Sequence, residues 1–339
     1  MGMSMWRAIL LCALVFAGAA EAADESQDRI EIVTSGPTFA LGAALAHGFA
    51  GARPFAEPVA EASDDALGKF CAGVGTAYPD IAISEHPLSA EERNACRAAG
   101  VTPVEVSLGY FGLAILRKPG AASLPLTART IFLAIAKDIP KGPEQQLVAN
   151  AAAAWNQVDP KLPDLPIAIF GPPPGSGGAQ SVGPLLVAQG ARTFTALKAL
   201  EQKDPDSFKA FADGVRSDSV YQPRQHSDYL QTLLRANPSA LVVTDLSSIN
   251  GGVAGLSVMA VNGVVPQTTT LANGSYPYAQ EVRLFVKREH LAITPGLRQF
   301  LDEALGPAAL GEHGYLRPLG LVPRPANGAN ADSVLARPR

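Results

Sequence analysis

The chain is short of charge, histidine and cysteine, and each shortage removes a class of function. Asp, Glu, Lys and Arg make up 17% of its 339 residues, and the formal net charge is −4 at pH 7. A nucleic-acid or anionic-membrane surface needs a basic field, so neither partner is expected. The five histidines (His47, His86, His226, His290 and His313) are scattered. None falls at a spacing that sets two ligands on one helix face beside a third, so no metal is expected and no cofactor is assigned. Nor is any nucleophile paired with a base. Ser176 has no histidine assigned to it, which argues against an enzyme such as a phosphatase.

Long apolar runs are scarce too. The only sizeable one covers residues 8–20, after Arg7 and before Ala20-Glu21-Ala22. That is the layout of a secretory signal peptide over residues 1–22, cut before Ala23, and it places the mature protein in the periplasm. The run is too short to span a bilayer. Cys12 follows Leu11, where a lipid-anchored leader needs a small residue, so a soluble mature chain is expected; an uncleaved N-terminal anchor is the alternative. Removing the leader leaves two cysteines, Cys71 and Cys96. In an oxidising compartment an even pair reads as a disulfide, against the alternative of two free buried thiols.

What is present is a packed α/β pattern. About 300 residues follow the leader, more than one hydrophobic core usually serves, so two domains are expected. The composition is 47% hydrophobic with 28 prolines, which suits a globule with many short, defined connections. Ile30-Glu31-Ile32-Val33 reads as a strand, Thr34 to Thr38 as a turn, and residues 39–49 as a helix. A second strand near Pro58-Val59 leads through Ser63-Asp64-Asp65 into a helix carrying Leu67, Phe70 and Cys71. A third, Asp80-Ile81-Ala82-Ile83, ends at Ser84-Glu85-His86-Pro87. Strands alternating with helices indicate a parallel sheet, whose ligands gather beyond the carboxyl ends of the strands.

Further along, residues 104–116 read as a strand pair interrupted by Gly109 and Gly112, crossing from the first lobe into the second. Residues 126–136 read as a helix, 155–163 as a loop, and Ile167-Ala168-Ile169-Phe170 as a buried strand before Gly175-Ser176-Gly177-Gly178 and a helix from Ala179. Residues 204–234 read as mostly helical and Ala240 to Thr244 as another buried strand. Residues 283–287 form the return strand and 295–304 a closing helix. From Pro323 the sequence loses periodicity and reads as a disordered tail.

Three strand ends carry Ser, Thr or Gly before a helix: Thr38, Ser63 and Ser176-Gly177-Gly178. The first amides of a helix lack internal partners and its N-terminus is partly positive, so several such ends meeting at one cleft would hold an oxyanion without a large net charge. Each one alone reads better as an ordinary N-cap than as a ligand group, and only the combined pattern points to an anion. Glu85, after a buried strand and before a proline, belongs at the lip of the same cleft. A carboxylate beside an anion is costly unless the anion carries a proton to donate. Monohydrogen phosphate has that proton and sulfate does not, so Glu85 reads as a selectivity filter, or else as the cap of the helix after Pro87.

Several stretches, in this order, carry a resemblance. They are Thr38-Phe39, Phe70-Cys71-Ala72-Gly73, Pro79 to Glu85 with Cys96, and Tyr110-Phe111-Gly112-Leu113-Ala114. They continue with residues 126–140, Gly175-Ser176-Gly177, Ala236 to Leu241, Gly274-Ser275-Tyr276-Pro277, Gly314-Tyr315-Leu316 and Gly320 to Pro323. The chain resembles the phosphate-binding receptor of bacterial phosphate ABC transporters, a periplasmic binding protein of type II, over nearly its whole mature length. The resemblance implies an α/β fold of two lobes, each a mixed sheet flanked by helices, with the ligand cleft between them. Residues 23–112 with 280–325 would form lobe 1, residues 113–279 lobe 2, and 326–339 the tail. It implies a monomer that captures phosphate or a similar oxyanion for an ABC transporter permease.

The resemblance also assigns roles. Thr38 and Phe39 would offer a hydroxyl and a backbone amide, Ser63 a second hydroxyl, and Glu85 the acceptor of the phosphate proton. Ser176, Gly177 and Gly178 would supply a hydroxyl and amides. Arg216 would be the cation, with Arg224 second, and Asp228 or Ser227 would hold it. The sequence departs from the family at Asp64-Asp65, at Gly36-Pro37, at Pro172-Pro173-Pro174, at Gly178 for Thr, and at Glu85 for Asp. Two extra acids oppose a doubly charged ligand unless they point outward as helix caps. A second reading therefore keeps the fold but makes the protein a sensor or partner-binding protein with a degraded phosphate site.

Overall fold

A computed structural model describes residues 29–50, 55–121, 124–174, 176–218, 220–223, 234–251, 255–324 and 336. The expected leader, and all but one residue of the expected tail, lie outside them. Three short strands open the fold: Glu31–Thr34 (β1), Val59–Ala62 (β2) and Ile81–Ser84 (β3), with β1 parallel to both others. The helices Phe39–Phe49 (α1) and Ala66–Cys71 (α2) make the crossovers that parallel strands require. All four residues of β3 are buried, as befits a strand covered on both faces. Helix Ala90–Ala98 (α3) starts on a reciprocal box, in which Glu92 N–H donates to Ser89 Oγ at 3.1 Å and Ser89 N–H to Glu92 Oε2 at 2.6 Å. A disulfide between Cys71 and Cys96 ties α2 to α3, and both sulfurs lie in the core.

Pro103–Arg117 (β4) is a single continuous strand, not the interrupted pair expected from its glycines. Gly109 has φ +150°, and a Cβ there would stand 2.3 Å from the carbonyl oxygen of Val322. That glycine lets the returning C-terminal chain lie against β4; it does not end the strand. The second half continues with Ala128–Ile135 (α4), the hairpin Asp138–Lys141 (β5) and Gln146–Ala149 (β6), and a one-turn helix Trp155–Val158 (α5) where a loop was expected. Then come Ile169–Gly171 (β7), Gly177–Ser181 (α6), Tyr221–Pro223 (β8), Leu241–Asp245 (β9), Ser257–Val258 (β10), Ala279–Lys287 (β11) and Val322–Pro323 (β12). Among its described residues, the stretch expected to be mostly helical holds the helix Pro205–Ala212, then β8, and is helical again at Leu234.

The strand order is β2-β1-β3-β11-β4-β9-β7-β8, with β10 and β12 also on β4. Each half is mixed. In the first, β11 runs antiparallel to β3 and β4; in the second, β7, β8 and β9 are parallel and β4 opposes β9. Separate cores form on either side, one around Phe132, Trp155, Leu186 and Tyr276, the others around Leu41, Leu284 and Phe300 and around Phe70, Cys96 and Phe285. The architecture is two-lobed α/β, with β4 common to both sheets.

Strand direction fixes where a ligand can sit. Through β11, the last residue of β3 lies level with Ser107 of β4, because Arg283 pairs with both Ser84 and Ser107. On the other side, the last residue of β9, Asp245, pairs with Leu113. Strand β3 runs with β4 and β9 runs against it, so their carboxyl ends face each other along β4. Six residues of strand separate the two levels, about 20 Å at 3.4 Å per residue.

A buried polar cluster braces the first lobe below this level. His290 Nδ1 lies 2.7 Å from Asp80 Oδ1, and Gly75 N–H donates to His290 Nε2 at 3.0 Å. The ring therefore carries its proton on Nδ1 and donates it to Asp80. Asp80 also accepts from the Glu31 amide at 2.7 Å. Beside it, fully buried Lys287 donates to Gly73 O at 2.6 Å, with its ammonium 5.3 Å from the Phe70 ring centroid and 5.4 Å from that of Tyr78.

Candidate functional site

The first half of the site is built where β1 and β3 end side by side. After β1 the chain turns through Gly36–Thr38 into α1, with Pro37 placed where a missing N–H costs nothing. Thr38 is fully buried, and its hydroxyl donates to Ile83 O at 2.8 Å. It also lies 2.8 Å from Ser35 Oγ, and Ser35 Oγ in turn donates to Glu85 Oε2. The Phe39 amide bonds Gly36 O, while its ring is exposed at the start of α1.

Glu85 thus stands at the end of β3 with its carboxylate turned onto the first loop, its side chain only 10% exposed. His86 Nε2 lies 3.5 Å from its other oxygen. The helix after Pro87 is capped by Ser89 and Glu92, so Glu85 is not its cap. Arg283 brings a guanidinium close by, with Nη1 3.4 Å from Glu85 O, while Glu105 at 2.8 Å and Glu281 at 2.6 Å pair with it.

Ser63 belongs to the same end of the sheet, its amide donating to Thr34 O at 2.8 Å. Its hydroxyl accepts from the Asp65 amide at 3.2 Å, and Asp65 caps α2 by accepting from Gly68 N–H at 3.1 Å. The acids of this loop are exposed, and Asp65 serves the helix terminus.

The second half is built on β7 and β9. Ser176 caps α6, accepting from Ala179 N–H at 3.1 Å and donating to Pro173 O at 2.7 Å. Gly177 opens that helix. Gly178 is buried, and a Cβ on it would meet Asp245 Oδ1 at 2.5 Å. Asp245 is the residue that sequence reasoning passed over. It ends a buried strand just as Glu85 follows one, and that shared position was the available signal. Burial pushes its carboxyl pKa up. Each half of the site therefore sets hydroxyl or amide groups beside one carboxyl group, and in the first half the Thr38 and Ser35 hydroxyls and the Phe39 amide are already bonded within the protein.

Arg216 is placed differently from its expected role. It donates to Ala152 O at 2.6 Å and Ala134 O at 3.4 Å, and pairs with Asp218 at 2.6 Å, its side chain 8% exposed. Its guanidinium therefore clamps the end of α4 to the loop before α5. Burial alone would raise the Asp218 carboxyl, but the Arg216 side chain and the Val220 amide outweigh it and hold the carboxyl low. Asp228, Ser227 and Arg224 lie outside the described residues.

The family model described as PBP superfamily domain matches residues 19–308. The chain belongs to the PBP superfamily. Protein SphX of Synechocystis sp. is 22% identical over 271 residues, covering 78% of this chain and 68% of that protein. Among solved structures, a possible phosphate binding protein from Planctomyces limnophilus matches with a TM-score of 0.65 at 18% identity, covering 91% of this chain and 94% of the other. PstS from Borrelia burgdorferi matches at 0.58 and 15%, covering 87% and 98%. An ABC-type phosphate transport receptor from Vibrio cholerae matches at 0.51 and 16%, covering 83% and 95%. At these identities the likeness establishes the two-lobed fold, and the PBP superfamily member described here shares it over most of its length.

Proposed function

We propose that the protein is a periplasmic receptor that captures phosphate, or a closely related oxyanion, between its lobes and passes it to an ABC transporter permease. The observation that carries this reading is the opposition of the strand ends. Those of β1, β2 and β3 carry Thr38, Phe39, Ser63 and Glu85; those of β7 and β9 carry Ser176, Gly177, Gly178 and Asp245. Strand β4 crosses between them, so residues 23–112 with 280–325 and residues 113–279 serve as the two moving bodies of a hinge. The Planctomyces and Vibrio structures, of a possible phosphate binding protein and of an ABC-type phosphate transport receptor, support the same ligand.

The chemistry selects for a protonated anion. Glu85 and Asp245 accept hydrogen bonds when ionised, and a bare dianion between two carboxylates is repelled. Phosphate brings protons that satisfy such acceptors, and sulfate brings none. The hydroxyls of Ser35 and Ser176 are engaged within the protein, so ligand binding exchanges those bonds for new ones as the lobes close. Arg216 stays with its carbonyls, and the protein acts as a monomer that binds without turnover.

Glu85→Gln tests the role of the carboxylate. An amide both donates and accepts, so the variant should bind phosphate about tenfold or more weakly and lose much of its preference over sulfate. Unchanged affinity and unchanged preference in isothermal titration would remove Glu85 from the site.

A further inference from the structure

A second concavity lies on the first lobe along β4, from the level of the β3 strand end at Ser107 back to Val101. Strand β4 borders the first sheet there, and β12 touches it only at Gly109 and Tyr110. Helices α2 and α3 cover the sheet over Val33, Ala82 and Phe285, but the stretch carrying Glu105 and Ser107 lies beyond them. The result is a pocket of about 680 Å³, within the size range of small-molecule sites.

Its charge is set by arginine. Arg93 and Arg97, one turn apart on α3, Arg288 after β11, and Arg324 after β12 all line it. The two carboxylates in the lining, Glu105 and Glu281, are already paired with Arg283, at 2.8 and 2.6 Å. Arg93 gives one donor to Leu88 O and Arg97 one to Asn94 Oδ1, which leaves most of each fork facing outward. Ser107 Oγ, in the same lining, is buried and has no hydrogen-bond partner among the described residues. Val101, Pro103 and Val104 supply apolar wall.

Guanidinium groups do not deprotonate and match planar carboxylate or tetrahedral phosphate oxygens with paired donors. A single inorganic oxyanion engages one or two of them and leaves the rest of this volume empty. We propose that the pocket is a second binding site, for an organic anion with at least two carboxylate or phosphate groups held apart by a carbon skeleton. The anionic groups lie against arginines from different elements, the skeleton lies on the Val101–Val104 wall, and Ser107 takes a hydroxyl or an oxygen of the ligand. This site borders the oxyanion cleft at Arg283, which pairs with Glu105 and Glu281, but it draws on different arginines.

The test is isothermal titration of the purified full chain with citrate, with fructose 1,6-bisphosphate and with inorganic phosphate. It is repeated on Arg93→Gln/Arg97→Gln, both exposed on α3, and on Arg324→Gln. Binding of citrate, of the bisphosphate or of both, weakened about tenfold or more in the double variant and also weakened in Arg324→Gln, supports the proposal. Whichever probe binds names the carboxylate or the phosphate class. The inorganic phosphate isotherm should be unchanged by these substitutions. No heat from either organic anion at millimolar concentration, or equal affinity in wild type and both variants, overturns it.

Discussion

Replacing Lys287 with methionine isolates the cost of holding a charge inside the first lobe. The lysine side chain is fully buried, and its ammonium donates to Gly73 O at 2.6 Å. Burial pulls its pKa from 10.5 down to about 8, against the opposing influence of Asp80, Glu289 and Glu31. In the unfolded chain the amine titrates at its ordinary value. Below the folded value both states are charged and the burial cost is carried in full. Between the two values the unfolded state binds more protons, so stability rises with pH. Integrating that difference gives a gain of about 2.5 kcal/mol from about pH 7 to about pH 10.

Buried tyrosines set the upper edge of that window. Burial pushes Tyr221 and Tyr315 up to about 12, and Tyr276 and Tyr278 further still. In the unfolded chain they ionise near about pH 10, so stability falls above it. At any single pH the substitution removes a desolvated charge but leaves Gly73 O without its donor, a loss of about 1–3 kcal/mol. The two effects oppose, so the slope is decisive and the offset is not. Urea denaturation followed by circular dichroism at intervals across this range should show the rise in wild type, no rise in Lys287→Met, and the tyrosine fall in both. Parallel curves for the two proteins would refute the reasoning.

The remaining predictions concern the staple and the buried arginine. The Cys71–Cys96 bond spans a sequence separation of 25, and losing it in Cys71→Ala/Cys96→Ala should lower stability by about 3.5 kcal/mol from loop-closure entropy, read as a fall in the urea midpoint. Arg216→Met should cost about 2 kcal/mol, because the carbonyls of Ala134 and Ala152 lose a buried donor, while the phosphate isotherm stays unchanged. Intact stability with lost phosphate binding would return Arg216 to the ligand.

The parts of this molecule that could be read from sequence are those set by local chemistry. The strand–turn–helix repeats at β1, β3 and β7 follow from apolar runs ended by Gly, Ser or Pro, and Glu85 stands out because it interrupts such a run before Pro87. Asp245 occupies the matching place after Val242 and Val243, but no proline or motif marks it. Arg216 misled because a sequence shows that a cation is present but not what its fork faces; the Ala152 carbonyl is 64 residues away. The hairpin of β5 and β6 went unseen for another reason. All four residues of β6 are exposed, so it has no alternation of apolar and polar positions to detect. At β4 the glycines suggested a break, when their purpose is to admit a neighbouring backbone.

The most direct test of the central claim is isothermal titration of the refolded, ligand-free protein with phosphate and with sulfate, near neutral pH and at moderate salt. Phosphate should give a saturable isotherm with one site in the cleft and sulfate little or no heat, and Glu85→Gln should lose that discrimination. No heat from phosphate up to millimolar concentration, or sulfate bound as tightly as phosphate, would contradict it.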